Sequence, residues 1–156
     1  ERMKVCPALK NLKEKHKLLG KKGGKGFYIH KGREKPVVNT EIKSLLGLSL
    51  SGYGSMSDQR ILDRCILQLV NEASKCLEEG IIERPDYLDM AMVLGTGFPP
   101  FRTGPIAYAD SIGLDRVCQT LEDLASEVGE RFKPSQLIQT LASENKKFYG
   151  MINSDK

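Results

Sequence analysis

Residues 57–80 read SDQRILDRCILQLVNEASKCLEEG, and this stretch decides the fold. Its apolar side chains recur at three- and four-residue steps, which is the spacing of one face of an α-helix. They are Ile61, Leu62, Cys65, Ile66, Leu69, Val70, Ala73, Cys76 and Leu77. Ser55 or Ser57 can cap the start of this helix, and Gly80 can end it. Because the apolar stripe is broad, we predict a central helix that other helices surround.

Four more helices are predicted after it, and proline or glycine marks most of their ends. They cover residues 85–94, 105–112 and 114–128, and a last one opens at Pro134. Proline suits the first turn of a helix because the amide hydrogen that it lacks would be unpaired there. Five helices with short links and no convincing strand pair predict an all-α, five-helix bundle.

Residues 1–48 are richer in lysine and glycine than the rest of the chain. The predicted elements there are a helix over 5–19 ended by Gly20, an extended run over 27–30, and a brief helix over 41–46 capped by Asn39 or Thr40. The stretch at 49–55, SLSGYGS, is predicted to be a flexible joint. We therefore expect two parts, a first over 1–48 and a complete helical domain over 55–150.

Charge is divided unevenly along the 156 residues. Residues 1–35 carry 12 basic and 3 acidic side chains, a balance of +9, whereas residues 36–156 carry 12 and 17, a balance of −5. A nucleic-acid-binding arm and a solvated helix face both give such a count. The basic part lacks interleaved aromatic residues and a reading helix, so no nucleic-acid partner is predicted.

Composition excludes other classes of protein. The chain is 40% hydrophobic and 28% charged, and no run reaches the roughly 18 apolar residues that a membrane-spanning helix needs. The four cysteines form no C-x-x-C pair, so we expect buried thiols in a reducing, intracellular compartment. The sequence begins with Glu-Arg-Met, and we expect a segment of a longer chain.

The glycine-rich loop GKKGGKG at residues 20–26 is the first candidate for chemistry. It fits neither the Walker A pattern nor the dinucleotide fingerprint, and it follows a helix instead of preceding one. A simple turn is the main interpretation, and Lys21, Lys22 and Lys25 are candidate contacts to an anion. His16 and His30 lack a nearby carboxylate or a metal-ligand spacing. We predict no catalytic, cofactor-binding or metal-ligating residue.

The loop over residues 95–105, GTGFPPFRTGP, is the least periodic part of the chain. Two phenylalanines, three prolines and three glycines make it stiff and apolar, with Arg102 as its one cation. The loop either covers the helix ends or docks onto a partner domain, because exposed aromatic residues and arginine are favoured at interface centres. The interface candidates are Phe98, Pro99, Phe101 and Arg102.

Several motifs in order also carry a family resemblance. Residues 70–81, VNEASKCLEEGI, and 89–105, DMAMVLGTGFPPFRTGP, precede YAD at 108–110 and GLD at 113–115. This series closely resembles the C-terminal helical domain of 3-hydroxyacyl-CoA dehydrogenases. The version with GTGFPPFR is similar to the last domain of the multifunctional fatty-acid β-oxidation enzymes, which join enoyl-CoA hydratase and dehydrogenase in one chain. The resemblance implies a bundle of the 6-phosphogluconate dehydrogenase C-terminal-like type.

Residues 9–28 resemble the closing segment of a preceding copy of the same domain. They share with residues 137–149 a helix with apolar spacing, a basic turn and a Phe-Tyr pair. The resemblance implies that NAD, the histidine base and the Rossmann domain belong to upstream parts of a parent enzyme that oxidises 3-hydroxyacyl-CoA. Where the family has a catalytic asparagine in its first copy, this sequence has Asp63. We therefore expect a non-catalytic domain, inactive by itself and binding no cofactor.

The resemblance also implies partners: the upstream Rossmann and hydratase domains, a thiolase subunit, and acyl-CoA as the substrate of the parent enzyme. The expected compartment is the bacterial cytoplasm, with the mitochondrial matrix or the peroxisome as alternatives. A stand-alone helical interaction module without enzymatic role is the alternative function.

Overall fold

The computed structural model describes residues 5–47 and 56–153. The chain divides into two units, Glu1–Met56 and Ser57–Lys156. The joint predicted at 49–55 lies outside the described residues. Each unit is therefore considered by itself.

The first unit contains two short helices and a small strand pair. Its elements are α1 (Pro7–Glu14), β1 (Tyr28–Ile29), β2 (Val37–Val38) and α2 (Glu41–Leu45). The strands are antiparallel, with Tyr28 opposite Val38. β1 confirms the extended run predicted over 27–30, whereas its partner β2 was not predicted, because a two-residue strand is too short to show the alternation that reveals a strand in a sequence.

The first helix ends earlier than its apolar spacing predicts. α1 stops at Glu14, and Lys17 has a φ of 55° although it is not glycine. The Leu18 amide then donates to the Leu12 carbonyl at 3.0 Å, which turns the chain back over the helix end. Leu12 itself is buried, at 3% exposure. The chain therefore turns several residues before Gly20.

The second unit is helical. It contains α3 (Asp58–Glu78), α4 (Pro85–Thr96), α5 (Pro105–Ile112), α6 (Leu114–Val128) and α7 (Gln136–Ser143). Short 3₁₀ segments lie at Pro100–Arg102, Glu130–Phe132 and Phe148–Asn153. These are the five helices expected from the sequence, and the all-α fold class is confirmed. No helix in the described parts of the chain is both long and apolar enough to span a membrane.

Local signals fix most of the helix ends. The Ser57 hydroxyl accepts a hydrogen bond from the Arg60 amide at 3.2 Å and so caps α3. The sequence predicts that α4 ends before Gly95, but the helix continues to Thr96. Gly97 ends it, with a φ of 74° that suits glycine. Gly95 remains inside the helix, where a helical backbone tolerates glycine at a cost of about 1 kcal/mol relative to alanine. The α7 cap is Ser135, whose hydroxyl accepts from the Ile138 amide.

One continuous core holds the second unit together. Its buried members are Leu67, Val70, Ala73, Leu88, Ile106, Ala109, Leu114, Val117, Leu121, Leu124, Phe132, Ile138, Leu141 and Phe148. α3 contacts α5, α6 and α7, and its own buried positions all lie between residues 67 and 74. The core therefore gathers around the second half of α3.

The first half of the predicted α3 stripe is an error of the sequence analysis. Ile61, Leu62, Cys65 and Leu69 are exposed, and Leu67, which the stripe omits, is buried. α3 has 21 residues, and two of the helices that contact it, α5 and α7, have 8 each, so those two cover only part of its length. The buried thiols are also a wrong expectation: all four cysteines are free, with Cys6 and Cys65 exposed and the other two half-buried.

Candidate functional site

The loop between α4 and α5 separates the four interface candidates into two groups. Pro99, Phe101 and Arg102 are exposed, and Phe101 is 82% accessible. Phe98 differs, because its ring is buried at 6% exposure. Three of the four candidates therefore lie on the surface of this loop, next to the exposed Pro100, and Phe98 does not.

Arg102 lies against two aromatic rings. Its guanidinium carbon is 5.7 Å from the centre of the Phe101 ring and 5.6 Å from the centre of the Tyr108 ring. These are cation–π distances, which favour a fixed orientation of the charged group. Backbone hydrogen bonds from Arg102 to Pro99 and from Thr103 to Pro100, at 3.0 and 2.9 Å, hold the turn below it.

A buried carboxylate anchors the base of this loop. Asp89, on α4, is 1% exposed. Its Oδ1 accepts from the Ile106 amide at 2.8 Å, and its Oδ2 accepts from the Ala107 amide at 2.8 Å. These are amides of the first turn of α5, where an acceptor satisfies unpaired donors and a negative charge meets the positive end of the helix dipole. Asp89 therefore caps a helix that is 17 positions away.

Two neighbours complete the Asp89 site. A side chain at Gly104 would collide with the Asp89 carboxylate, so the close approach requires glycine there. The Tyr149 hydroxyl donates to Asp89 Oδ2 at 3.0 Å. Burial, and then the hydrogen bond to the Asp89 carboxylate, raise the pKa of Tyr149 well above its ordinary value. Tyr149 is thus kept protonated as a donor.

Asp110 likewise binds backbone amides, at the start of the last 3₁₀ segment of the second unit. Its two carboxylate oxygens accept from the amides of Phe148 and Tyr149 at 2.9 and 3.0 Å. This fixes the start of the last 3₁₀ segment and seats the Phe148 ring, which is fully buried. Asp89 and Asp110 therefore bind the same Phe-Tyr pair, one through the phenol and the other through the backbone.

A third polar site joins α3 to α7. Asn71 is fully buried, its Nδ2 donates to the Lys133 carbonyl at 2.9 Å, and its Oδ1 accepts from the Ser135 amide at 2.9 Å. The Ser74 and Ser135 hydroxyls are 2.7 Å apart. These buried polar groups have partners within the domain, as buried polar groups require.

Asp63, unlike Asp89 and Asp110, binds no backbone amide of a distant helix or segment in the described residues. It is half-buried on α3, and its Oδ1 accepts from Gln59 Nε2 at 2.8 Å, one helical turn away. Such i,i+4 pairs are typical of the polar face of a helix. The carboxylate at this position therefore takes part in a local surface hydrogen bond.

The basic loop of the first unit has two kinds of lysine. Lys21 and Lys22 are exposed on a short 3₁₀ segment, Lys21–Gly23. Lys25 instead forms an ion pair with Glu41, with 2.6 Å between Nζ and Oε2. The loop closes tightly, because an added Cβ on Gly26 would lie 2.6 Å from the Gly20 Cα. Anion binding by these three lysines remains a prediction.

Sequence reasoning missed Asp89, Asp110 and Asn71 as single residues, although all three lie in the motifs quoted above. A signal was present for Asp89, which is an acid between Leu88 and Met90 in a helix that is otherwise apolar from there to Gly95. Nothing in the chain itself could show which amides it binds. Together the fold and these sites define an all-α domain in which the side chains of Asp89, Asp110 and Asn71 bind the backbone amides of its own helix termini.

Comparison of the sequence with known protein families identifies the family of this domain. Residues 61–149 match the family described as 3-hydroxyacyl-CoA dehydrogenase, C-terminal domain. The chain therefore belongs to that family, and the resemblance stated from its motifs is confirmed.

Similar proteins carry the name fatty acid oxidation complex subunit alpha. The protein of Shewanella amazonensis is 42% identical over 135 residues, that of Vibrio campbellii 40% over 130, and one of Vibrio cholerae 41% over 130. Each match covers 83% of this chain and 18% of the relative. The chain thus spans less than a fifth of the length of these relatives.

Proposed function

We propose that this chain acts as the C-terminal helical domain of a multifunctional fatty-acid β-oxidation enzyme, and that its own contribution is structural. The observation that carries the proposal is the use of Asp89, whose carboxylate is buried and occupied by two helix amides and a phenol. A carboxylate engaged in this way is not available to move a substrate proton.

The other polar groups of the family motifs support the same role. Asp110 and Asn71 bind backbone amides, and Asp63 bonds to a glutamine on the helix surface. In the proposed parent enzyme, domains outside this chain would hold NAD and the 3-hydroxyacyl-CoA and would supply the imidazole base, and NAD would serve there as the hydride acceptor. This domain binds no cofactor and supports the catalytic domains.

We also propose the domain organisation that the sequence suggests. Residues 55–150 are a complete copy of the helical domain, and residues 1–48 are the closing segment of a preceding copy plus a linker. Support comes from the parallel between α1, which is followed by Lys17 with a φ of 55°, and α7, which is followed by Asn145 with a φ of 50°. Hydratase and Rossmann domains of the same chain and a thiolase subunit are the proposed partners, in the bacterial cytoplasm.

A chimera tests the proposed function. This chain replaces the matching 135 residues of the Shewanella amazonensis subunit, and NADH formation is followed with a 3-hydroxyacyl-CoA as substrate. We expect turnover in the chimera, unchanged turnover in its Asp63→Ala variant, and no turnover by this chain alone. Asp63→Ala is informative because the family resemblance puts Asp63 where the first copy of the family has its catalytic asparagine.

Three outcomes would overturn the proposal. Measurable NAD reduction by the isolated chain would mean that it carries catalytic groups of its own. A large loss of kcat in the Asp63→Ala chimera, with KM and thermal stability unchanged, would give Asp63 a part in the chemistry. A chimera that folds and retains no turnover would contradict the assignment to a dehydrogenase.

A further inference from the structure

The most exposed aromatic side chain of the second unit is Phe101. At 82% exposure its ring is almost wholly in water, and it follows two prolines that stiffen the chain. Large apolar side chains exposed on a fixed backbone are typical of contact sites, because docking buries them without ordering a flexible segment. We call Pro99, Pro100, Phe101 and Arg102 the docking ridge.

Arg102 gives this ridge a second property. It is the one cation in residues 85–115, a stretch that also contains four aspartates. Its guanidinium contacts the Phe101 and Tyr108 rings, and within residues 56–153 the structure gives it no ion pair. A guanidinium oriented by two rings can offer its remaining donors to a carboxylate as a planar pair.

The base of the ridge is rigid. Asp89 packs against Gly104 and binds the two amides that follow Pro105, so the end of the ridge is held to α4 and α5 together. The 3₁₀ turn fixes its other side through the Arg102 and Thr103 amides. A partner would thus meet Phe101 and Arg102 already in position, which lowers the entropic cost of binding.

The exposure of the docking ridge and the net charge around it favour a protein as its binding partner. The Phe101 ring is 82% exposed, whereas small ligands bind in concave sites that enclose them. Residues 36–156 carry a net charge of −5, which disfavours nucleic acid or an anionic membrane surface. A complementary surface would have an apolar pocket for the Phe101 ring and a carboxylate at its rim for Arg102.

We propose that the docking ridge binds such a pocket on another domain of the longer chain, and this inference rests on the proposed function. The relatives support that choice of occupant, because most of their length lies outside the part that this chain matches. In this proposal, Phe101 is exposed when that domain is absent and is buried when the domain is bound.

Hydroxyl-radical footprinting tests the proposal by comparing side-chain oxidation in two samples. One sample is the isolated chain, and the other is the chimera with the Shewanella amazonensis subunit. We expect Phe101 to be oxidised several-fold more slowly in the chimera than in the isolated chain. Phe148, which is fully buried, should be protected in both and reports that the second unit is folded.

Variants of the chimera test the chemistry of the contact. Arg102→Glu should restore fast oxidation of Phe101, and Arg102→Lys should do so in part, because lysine keeps the charge and loses the planar pair of donors. Arg116→Glu is the matched control, since it reverses an exposed cation on α6 and should leave Phe101 protected.

Three results would overturn the proposal. Equal oxidation of Phe101 in both samples would mean that no domain covers it, and protection that survives Arg102→Glu would exclude the carboxylate. Protection of the isolated chain that grows with its concentration would identify a second copy as the occupant. NADH formation is measured separately, so lost turnover with Phe101 still protected would reject the proposed function alone. The Vibrio campbellii subunit provides a second scaffold if the first chimera fails to fold.

Discussion

Residues 7–28 and 136–149 contain the same order of features but differ in burial. Each has a short helix, a residue with positive φ and a Phe-Tyr pair, and the helices bury Leu12 and Leu141 to 3% and 5% exposure. In the second unit Phe148 is fully buried. In the first unit Phe27 and Tyr28 are 47% and 51% exposed.

The partners of the two pairs explain the difference. Asp110 binds the amides of Phe148 and Tyr149, and the helices of the second unit enclose the Phe148 ring. In the first unit the Phe27 carbonyl accepts from the Asn39 amide at 2.9 Å, and Tyr28 belongs to β1. Phe27 also lines an open cavity of about 340 Å³ with Leu9, Leu12, Leu18 and Leu19. The comparison teaches that the surrounding helices, and not the Phe-Tyr pair, determine its burial.

The largest effect is expected from truncating the two phenylalanines. Phe148→Ala should lower the free energy of unfolding by about 3–5 kcal/mol, because it leaves a cavity in a closed core. Phe27→Ala should cost less than about 1 kcal/mol, since its ring is half in water already. Urea unfolding followed by circular dichroism measures both. Equal losses of unfolding free energy in the two variants would contradict the difference in burial between Phe148 and Phe27.

A smaller effect is expected at the carboxylate that holds Tyr149. Asp89→Ala should lower the free energy of unfolding by about 3 kcal/mol, because two buried α5 amides and a phenol lose their acceptor. The matched control is Asp58→Ala, in the first turn of α3, where loss of an exposed acid should cost about 0.5 kcal/mol. If the two variants were equally stable, Asp89 would not anchor α5.

The smallest effect is expected from the tyrosines. Tyr149→Phe should cost about 1 kcal/mol at neutral pH through the lost hydrogen bond to Asp89, and Tyr28→Phe should cost almost nothing. The folded-state pKa of Tyr149 lies above its unfolded value, so its stabilisation is present below about pH 10 and decreases as the pH rises further.

Unfolding curves at neutral and alkaline pH measure this dependence. The wild-type chain and Tyr28→Phe should both lose stability above about pH 10, and Tyr149→Phe should lose less. An identical alkaline loss in all three would contradict the role given to the Tyr149 hydroxyl.

Much of the fold could be predicted from local signals. α5 and α6 have the predicted bounds, because Pro105, Gly113 and Gly129 mark their ends. α1 was predicted too long because Lys17, a residue without a turn signal, adopts positive φ. The exposure of Ile61, Leu62 and Cys65 could not be foreseen, since burial depends on how helices distant in the sequence pack against α3.

The candidate site was less predictable. Composition identified the loop at 95–105, and the structure leaves Phe101 and Arg102 on its surface. The burial of Phe98 was not foreseen, because two phenylalanines three residues apart look alike in a sequence. The carboxylate contacts of Asp89 and Asp110 cross 17 and 38 positions, and no local pattern records them.

The contact between Asn71 and Ser135 has a consequence for the order of events during synthesis. The two residues are 64 positions apart, and an eight-residue helix such as α7 is unstable alone in water. On the ribosome, α3 therefore emerges long before the residues that satisfy its buried amide. A nascent chain that ends before Ser135 therefore lacks the amide that Asn71 Oδ1 binds in the folded domain.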